Sequence, residues 1–276
     1  MEKMIPSIAS LGLIQGRLTP SLGRGIQFFP DGSGEWEREF ELASAAGISH
    51  IEWVCTKDNL LFSAEGQEAV RAVMQQTGIT VRNMDLHELL TKADISEHSD
   101  DLFEKICASL AAIGGGAVEF PLMEASSLLM PEAYPQRVEA VQRFVDIAKK
   151  YNIPVAVETD LGPTALVAFL AEVPEVTVVY DVGNCAGMGY DMEEELATYG
   201  AHISNVHIKD KPAGGATVPL GTGSVDFPKL FRLLRAMNYT GAVTLQAARG
   251  EDDKEVETIS HYAGLLHEWH KAAEHP

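Results

Sequence analysis

Four residues with metal-binding side chains stand at the ends of four consecutive β-rich runs in the second half of the chain. They are Glu158, Asp181, His207 and Gln246. Two carboxylates, an imidazole and an amide oxygen form a mixed oxygen and nitrogen set, which suits Mn²⁺, Mg²⁺, Co²⁺ or Zn²⁺ and not a thiolate-selecting metal. Any one of these residues alone could merely end a strand or cap a helix. Four in succession predict a site for one divalent ion.

Short β-rich runs and longer helical stretches alternate along the whole sequence. The predicted strand and helix pairs are 11–15 with 35–46, 48–54 with 64–76, 79–84 with 102–113, 117–122 with 135–150, 153–158 with 164–171, 176–181 with 192–199, 203–209 with 227–237, and 242–246 with 254–270. Such alternation predicts parallel strands joined by right-handed crossovers. Eight units in 276 residues favour an α/β fold in which a single (β/α)₈ barrel forms one domain, residues 1–276. The active groups of such barrels lie at the carboxyl ends of the strands, which would bring the four residues to one rim.

A doubly wound open sheet is the competing architecture. It usually places a Gly-x-Gly-x-x-Gly turn after an early strand. The run Gly114-Gly115-Gly116 precedes a predicted strand, and Gly183, Gly187 and Gly189 are spaced differently. The glycine pattern therefore opposes a dinucleotide-binding fold.

The composition excludes several classes of protein. Hydrophobic residues make up 46% of the chain and the net charge is −19, which opposes global disorder, nucleic-acid binding and binding to anionic membranes. The first six residues lack the features of a signal peptide. Cys55, Cys107 and Cys185 form no CxxC pair and fit reduced thiols in a cytoplasm. We expect a cytoplasmic enzyme with a small-molecule substrate; a homo-oligomer is compatible with the sequence.

Several motifs at the predicted strand ends resemble those of one superfamily of barrels. They are Val157-Glu158, Tyr180-Asp181-Val182-Gly183-Asn184, Val206-His207-Ile208-Lys209-Asp210, the loop from Pro219 to Phe227, and Gln15-Gly16-Arg17-Leu18 near the N-terminus. Together they resemble the xylose isomerase-like TIM barrel superfamily. It includes sugar phosphate isomerases and epimerases, tagatose 3-epimerase-type enzymes, inosose dehydratases and the endonuclease IV group. The resemblance covers essentially the whole chain.

This resemblance implies roles for individual residues. Glu158, Asp181 and His207 would be metal ligands, and Glu158 would also transfer a proton. Two positions depart from the pattern of many members, which have Glu at the end of the eighth strand and His three residues after the strand-six Asp. This chain has Gln246 and Asn184 there. An amide oxygen can still bind a metal, but it cannot accept a proton as a carboxylate does.

The Gln246 departure bears on mechanism. Inversion through a planar enediolate usually requires an acid and a base on opposite faces, whereas an aldose–ketose shift can use one base on one face. Gln246 thus favours an isomerase or dehydratase over an epimerase with two carboxylates. A second proton donor could come from Glu52, Glu119, Lys209 or His87, each near a predicted strand end. Glu52 and Glu119 could equally form ion pairs inside the barrel, and His87 could be an ordinary loop residue.

Basic residues near the predicted rim suggest an anionic substrate group. They are Arg17, Lys57, Lys209, Lys211 and Arg249. An arginine fork suits phosphate or carboxylate, so Arg17 and Arg249 are the favoured contacts, whereas Lys57 and Lys211 are typical of solvated loops. The segment Gly221-Thr222-Gly223 could cradle a phosphate, but a turn leading into a helix at Asp226 is the favoured interpretation.

The leading functional hypothesis is a divalent-metal-dependent isomerase or epimerase of a sugar, sugar phosphate or related keto compound. Glu158 and Lys209 would be catalytic, and Arg17, Glu52, His87, Asn184 and Arg249 would contact the substrate. The first alternative is a metal-dependent dehydratase of a polyol ketone, of the inosose type. An endonuclease IV-like phosphodiesterase is opposed by Asn184 and by the acidic charge. A metal-free binding barrel is opposed by the intact set of Glu158, Asp181 and His207.

Overall fold

Eight parallel strands close into a barrel in the order of the sequence. The computed structural model describes residues 11–20, 36–90 and 93–273; the predictions on residues 1–6 and on Glu35 lie outside these ranges. The strands are β1 (Leu11–Ile14), β2 (His50–Val54), β3 (Thr80–Asp85), β4 (Ala117–Leu122), β5 (Val155–Thr159), β6 (Thr177–Asp181), β7 (Ile203–Ile208) and β8 (Ala242–Leu245). Strand β1 pairs with both β2 and β8, so the sheet has no free edge. The predicted (β/α)₈ barrel is confirmed.

Ten helices lie among the described residues. They are α1 (Trp36–Ala45), α2 (Ala64–Thr77), α3 (His87–Leu90), α4 (Asp100–Ala112), α5 (Tyr134–Lys150), α6 (Pro163–Glu172), α7 (Val182–Met188), α8 (Met192–Tyr199), α9 (Phe227–Ala236) and α10 (Glu255–Ala272). Eight match the predicted helices within a few residues. The short helices α3 and α7 were not predicted, because neither is long enough to show an amphipathic period. Neither of them, nor any other helix in the described part of the chain, is long and apolar enough to cross a membrane.

Local hydrogen bonding explains where the strands begin and end. Strand β5 was predicted to begin at Ile153, but the N–H of Ile153 donates to Ala148 O at the end of α5. Pro154 then has no N–H to donate, and pairing begins at Val155. At the other end of the barrel, Gln246 lies one residue beyond β8 and its N–H still donates to Ile208 O over 3.0 Å. The sheet therefore aligns Gln246 with the end of β7.

Alternation along each strand separates polar and apolar environments. On β4, Phe120 packs outward between α4 and α5, with ring centroids 5.2 Å from Phe103 and 5.9 Å from Phe144. Its neighbour Glu119 is directed into the barrel and contacts His207. Side chains of successive strand residues point to opposite faces, so apolar packing against the helices fixes which residues enter the barrel.

Candidate active site

The strand register brings a histidine and two carboxylates together at the carboxyl ends of β5, β6 and β7. Asp181 and His207 are directly paired across β6 and β7. His207 Nδ1 lies 3.6 Å from Glu158 Oε2. Glu158, Asp181 and His207 each offer one ligand atom, and these atoms lie within 4.8 Å of one another. We call these three residues the outer site and include Gln246, because its N–H donates to Ile208 O and so aligns it with the end of β7 beside His207.

Asn184 links the two carboxylates of the outer site. Its backbone N–H donates to Asp181 Oδ1 over 2.8 Å, which makes Asp181 the N-cap of α7. Its side-chain Nδ2 donates to Glu158 Oε1 over 2.5 Å. One oxygen of each carboxylate is thereby held in place, and the second oxygens remain available to other partners.

Unpaired polar atoms in the outer site fit a metal ion. Among the described residues, His207 Nδ1 and Gln246 Oε1 are buried and have no hydrogen-bond partner. A buried polar atom without a partner is unfavourable and calls for a ligand, water or ion. Nitrogen and carboxylate or amide oxygens are ligands that Zn²⁺, Mn²⁺ and Mg²⁺ accept. The donor set is therefore suited to a divalent cation.

Lys209 lies beside the outer site. It follows the last residue of β7, it is 6% exposed, and its Nζ is 2.6 Å from Asp181 Oδ2. Because Lys209 is two residues beyond His207, both side chains leave β7 on the same face. The ammonium group therefore reaches the outer site together with the imidazole.

A second polar group lies beneath His207, inside the barrel. His207 Nε2 is 3.1 Å from Glu52 Oε2 and 3.3 Å from Glu119 Oε2. Asn205 Nδ2 donates to Glu52 Oε2 and to Glu119 Oε1, over 2.9 Å in each case. Asn83 Nδ2 also donates to Glu119 Oε1, over 2.7 Å. We call Glu52, Glu119 and the two asparagines the inner cluster.

The two carboxylate environments differ in their electrostatics. Burial acts to raise the pKa of Glu158, but the contact with His207 and the charge of Lys209 outweigh it and lower that pKa to about 2. In the inner cluster, burial and the nearby charge of Glu52 raise the pKa of Glu119. Two close carboxylates in a buried environment cannot both ionise without cost. Glu158 is therefore ionised at neutral pH, whereas the inner pair tends to retain a proton.

The pKa of His207 is shifted in the opposite direction from that of Glu158. Burial acts to lower the pKa of His207, but the charge of Glu52 and the contacts with the other surrounding carboxylates outweigh it and raise the pKa. Buried ionisable groups with strongly shifted pKa values are concentrated at functional sites. The electrostatics agree with the geometry in marking this end of the barrel.

Two arginines lie close together at the β1–β8 side of the rim. Arg17 Nε donates to Ala247 O over 3.1 Å, and Arg249 donates to Thr19 O and lies 3.8 Å from Glu255. Burial, together with the positive charge of Arg249, lowers the pKa of Arg17 to about 10. The two predicted substrate contacts, Arg17 and Arg249, are thus both buried, and the charge of Arg249 acts on Arg17.

The other predicted contacts lie around the same rim. His87 begins α3, and its backbone N–H donates to Asp85 Oδ1 over 2.8 Å. Its charge acts on the pKa of Glu158, so it lies near the outer site. Glu52 has no exposed surface and lies beneath His207. Lys57 is exposed and Lys211 is half-buried.

The glycine loop after β7 is organised by a side chain of the protein itself. The backbone N–H groups of Gly221, Gly223 and Val225 all donate to the Asp210 carboxylate, over 2.9, 2.9 and 3.2 Å. A Cβ at Gly223 would lie 2.2 Å from Asp210 Oδ1, so the close approach requires glycine. Asp226 then caps α9 by accepting from the N–H of Lys229. The structure agrees with the turn interpretation, since Asp210 occupies the N–H groups that would cradle a phosphate.

The N-terminal motif is held in a similar way. Gly16, which has a φ of 87°, and the following Arg17 and Leu18 direct their N–H groups at the Glu39 carboxylate, over 2.8 to 3.0 Å. Gln15 Oε1 accepts from the N–H of Val54 over 3.1 Å, which ties the end of β1 to β2. Glu39 on α1 therefore fixes the backbone that carries Arg17.

Several residues of this end of the barrel were missed in the sequence. Asn205, Asn83 and Asp85 point into the barrel, and Glu39 and Asp210 organise the loops. Asn205 offered a signal, because it precedes His207 by two residues and so shares its face of β7. Asp85 likewise ends β3. Glu39 offered none, because a glutamate on an amphipathic helix is ordinarily solvated.

Solved structures share this architecture. A xylose isomerase domain protein from Planctomyces limnophilus matches with a TM-score of 0.74 and 18% identity, over 96% of this chain and 99% of that one. The IOLI protein with a bound zinc atom matches with a TM-score of 0.73 and 15% identity, over 94% and 99%. A barrel from Mycobacterium smegmatis in complex with magnesium has a TM-score of 0.68 and 18% identity, over 95% and 96%. These identities establish the shared fold.

Curated relatives are named as epimerases. A Haemophilus influenzae protein, SgbU, provisionally named as an L-ribulose-5-phosphate 3-epimerase, is 25% identical over 248 residues, which are 76% of this chain and 83% of that protein. An L-ribulose 3-epimerase from Methylomonas sp. is 29% identical over 194 residues, 64% of this chain and 66% of that protein. The prediction that this chain is an enzyme is confirmed. The model of the xylose isomerase-like TIM barrel family matches residues 40–264, and the chain belongs to that family.

Proposed function

We propose that this protein is a divalent-metal-dependent sugar epimerase or isomerase, and that its reaction is 3-epimerisation of a ketose or ketose phosphate through an enediolate. The observation that carries the proposal is the outer site. There His207 Nδ1 and Gln246 Oε1 are buried and have no hydrogen-bond partner among the described residues, and Asp181 and Glu158, whose pKa is lowered, lie beside His207. The named activities of the relatives from Haemophilus influenzae and Methylomonas support the choice of reaction.

The cofactor would be one divalent ion held by Glu158, Asp181, His207 and Gln246. A divalent ion in such a position polarises a carbonyl and stabilises the negative charge of an enediolate. The protein's contribution is to fix the ligands. Asn184 holds one oxygen of Glu158 and one of Asp181, so their other oxygens would bind the cation, that of Asp181 beside Lys209 Nζ. The zinc and magnesium in two barrels of the same fold agree with this class of ion.

Proton transfer is assigned to Glu158 and Lys209. The low pKa of Glu158 keeps it ionised, so it can accept the proton on the carbon beside the carbonyl. Epimerisation also needs a donor on the opposite face of the planar intermediate. Lys209 is the favoured donor, because its Nζ lies at the mouth of the barrel beside Asp181 Oδ2. This is the oxygen that does not cap α7. It would replace the second carboxylate that Gln246 removes.

A second candidate reaction follows from Gln246 itself. If Glu158 is the one base, the proton can return to the neighbouring carbon on the same face, which gives aldose–ketose isomerisation. Loss of a β-hydroxyl from the same intermediate would give a dehydratase acting on a polyol ketone. Both need only one strong base at the outer site, as this chain offers.

The anionic end of a sugar phosphate would lie against Arg17 and Arg249. Burial and then the positive charge of Arg249 lower the pKa of Arg17, and a bound anion would offset both. Guanidinium groups suit phosphate through paired N–H donors. Asn184 and His87, which adjoin Glu158, would contact the hydroxyl groups of the substrate.

The test is a product and exchange assay with the Mn²⁺-loaded protein in D₂O. L-ribulose, L-ribulose 5-phosphate and an inosose are incubated separately and followed by NMR. We expect deuterium at C3 and formation of the C3 epimer. Exchange at C1 with an aldose product would select the isomerase, and loss of water from the inosose the dehydratase. No exchange with any substrate, in a protein shown to hold metal, would contradict the proposal.

A further inference from the structure

We propose that Glu52 is a positioning residue that holds His207 from beneath, with Nε2–H directed into the barrel and Nδ1 presented to the cation of the outer site. The inference rests on the proposed metal-dependent function. It gives Glu52 a role through His207 in place of contact with the substrate.

The surroundings of the imidazole distinguish its two nitrogens. Nε2 faces two acceptors, Glu52 Oε2 at 3.1 Å and Glu119 Oε2 at 3.3 Å. Nδ1 faces the outer site, has no hydrogen-bond partner among the described residues, and lies 3.6 Å from the nearest carboxylate oxygen. Glu52 Oε2 already accepts from Asn205 Nδ2 and is therefore an acceptor towards Nε2 as well, so Nε2 carries the proton. Nδ1 is then the nitrogen whose lone pair can bind a cation.

Glu52 is better placed than Glu119 to hold the ring. The contact between His207 Nε2 and Glu52 Oε2 has hydrogen-bond geometry, whereas Glu119 Oε2 has no hydrogen-bond partner in the described part of the chain. Asn205 Nδ2 donates to the same Glu52 oxygen over 2.9 Å, and Asn205 Oδ1 accepts from Thr244 over 3.1 Å. Strands β2, β7 and β8 thus fix the position of the Glu52 oxygen. A rigid acceptor fixes the orientation of the imidazole.

The inner cluster is not the better cation site, although Glu52, Glu119 and His207 could also surround an ion. Both groups share His207, and an imidazole that binds a cation has given up one of its two N–H protons and so has one lone pair to offer. The Glu52 side chain has no exposure to solvent, whereas that of Glu158 is 12% exposed, so an ion reaches the outer site first. Amide N–H groups already donate to one oxygen of each inner carboxylate.

The experiment measures Zn²⁺ affinity by competition with a chelator in the parent and in Glu52→Gln. The amide is a weaker acceptor of the same shape, and we expect the affinity to fall by about 10- to 100-fold, as for other partners of ligating histidines. Glu195→Gln is the matched control, because Glu195 on α8 is a buried carboxylate, 1% exposed, that accepts from the hydroxyl groups of Tyr180 and Tyr199 over 2.8 Å rather than from His207. Its affinity should stay close to that of the parent. If Glu52→Gln fails to fold, Glu52→Asp withdraws the carboxylate from Nε2 and should weaken binding in the same direction.

Nitrogen NMR of ¹⁵N-histidine protein reads the orientation directly and does not depend on activity. We expect a slowly exchanging Nε2–H on His207, assigned by its absence in His207→Asn, that exchanges faster in Glu52→Gln. Unchanged affinity and exchange in that variant would overturn the inference while leaving the outer site in place. Two Zn²⁺ per chain, or metal on Nε2, would also overturn it. A parent that binds no metal but keeps the protected Nε2–H would instead refute the proposed function.

Discussion

The two sides of His207 both offer carboxylate and amide groups but differ in which of their polar atoms are held. In the inner cluster, amide N–H groups of Asn205 and Asn83 donate to one oxygen of each carboxylate, whereas the other oxygens, Glu52 Oε1 and Glu119 Oε2, have no hydrogen-bond partner in the part of the chain that the structure describes. In the outer site, His207 Nδ1 and Gln246 Oε1 have no partner among the described residues. Amide donors that hold one oxygen of a deeply buried carboxylate make it part of the framework. Atoms left unpaired beside an ionised carboxylate mark the place where a ligand is needed.

The comparison also shows that glutamate side chains at different depths in the barrel are suited to different chemical roles. Glu158 is ionised and partly open to solvent, whereas the pKa of Glu119 is raised by burial and by the charge of Glu52. A group must reach the substrate to transfer its proton. The outer glutamate can therefore be a base, and the inner ones can act only through His207.

The largest expected effect is at Glu158. Glu158→Gln keeps a ligating oxygen and removes the base, so turnover should fall by about 10²–10⁴. The measurement pairs metal content with deuterium exchange at the carbon beside the carbonyl. Glu172→Gln, an exposed change on α6, is the control. Normal exchange in metal-loaded Glu158→Gln would place the base elsewhere.

A smaller loss is expected at Asn184. Asn184→Ala removes the donor that holds Glu158 Oε1 while retaining the backbone cap of Asp181. Loss of a residue that orients a metal ligand typically lowers metal affinity or activity by about 10- to 100-fold. Metal titration and steady-state kinetics are the measurements. Asn184→His, the residue of many family members, should recover part of the loss; an alanine variant indistinguishable from the parent would show that Asn184 does not hold Glu158 for function.

Arg249 tests whether the rim binds an anion. Arg249→Ala should raise KM for a sugar phosphate by the factor that corresponds to about 1.5–3 kcal/mol of lost binding free energy. This is the usual contribution of a hydrogen bond to a charged group. KM for the unphosphorylated sugar should change little. Lys57→Ala, which removes an exposed charge from the same rim, should have little effect on either substrate. Equal KM changes for the two sugars would argue against a phosphate contact.

Asp210 tests whether a carboxylate of the framework contributes to the stability of the fold rather than to metal binding. Its carboxylate accepts three backbone N–H groups, so, like the inner cluster, it belongs to the framework. Asp210→Asn should lower the free energy of unfolding by about 1–3 kcal/mol. Urea denaturation of the metal-free protein measures this, with Asp226→Asn as a control that keeps a good helix cap. A fall in metal affinity without a fall in stability would contradict the assignment.

Much of the fold could be predicted because strand and helix periods are local. The spacing of apolar residues indicated eight strand–helix units, and the polar residues that end β5 to β8 indicated the outer site. The short helices α3 and α7 were missed because their cause is a single capping contact, such as that of Asp181 with the N–H of Asn184. For the glycine loop, the sequence favoured a turn but left a phosphate cradle open, since sequence does not show which acceptor the N–H groups of the loop meet.

The sequence by itself determined which side chains leave the strand ends, because period-two alternation and apolar packing against the helices fix the face of each residue. Only the tertiary structure decided what those side chains meet. Glu52 is separated from His207 by 155 residues, and closure of the barrel brings their atoms to 3.1 Å. Burial then gives Glu52 and Glu119 a different role from Glu158. The pKa of a carboxylate and its access to substrate depend on the neighbours that long-range strand pairing brings beside it.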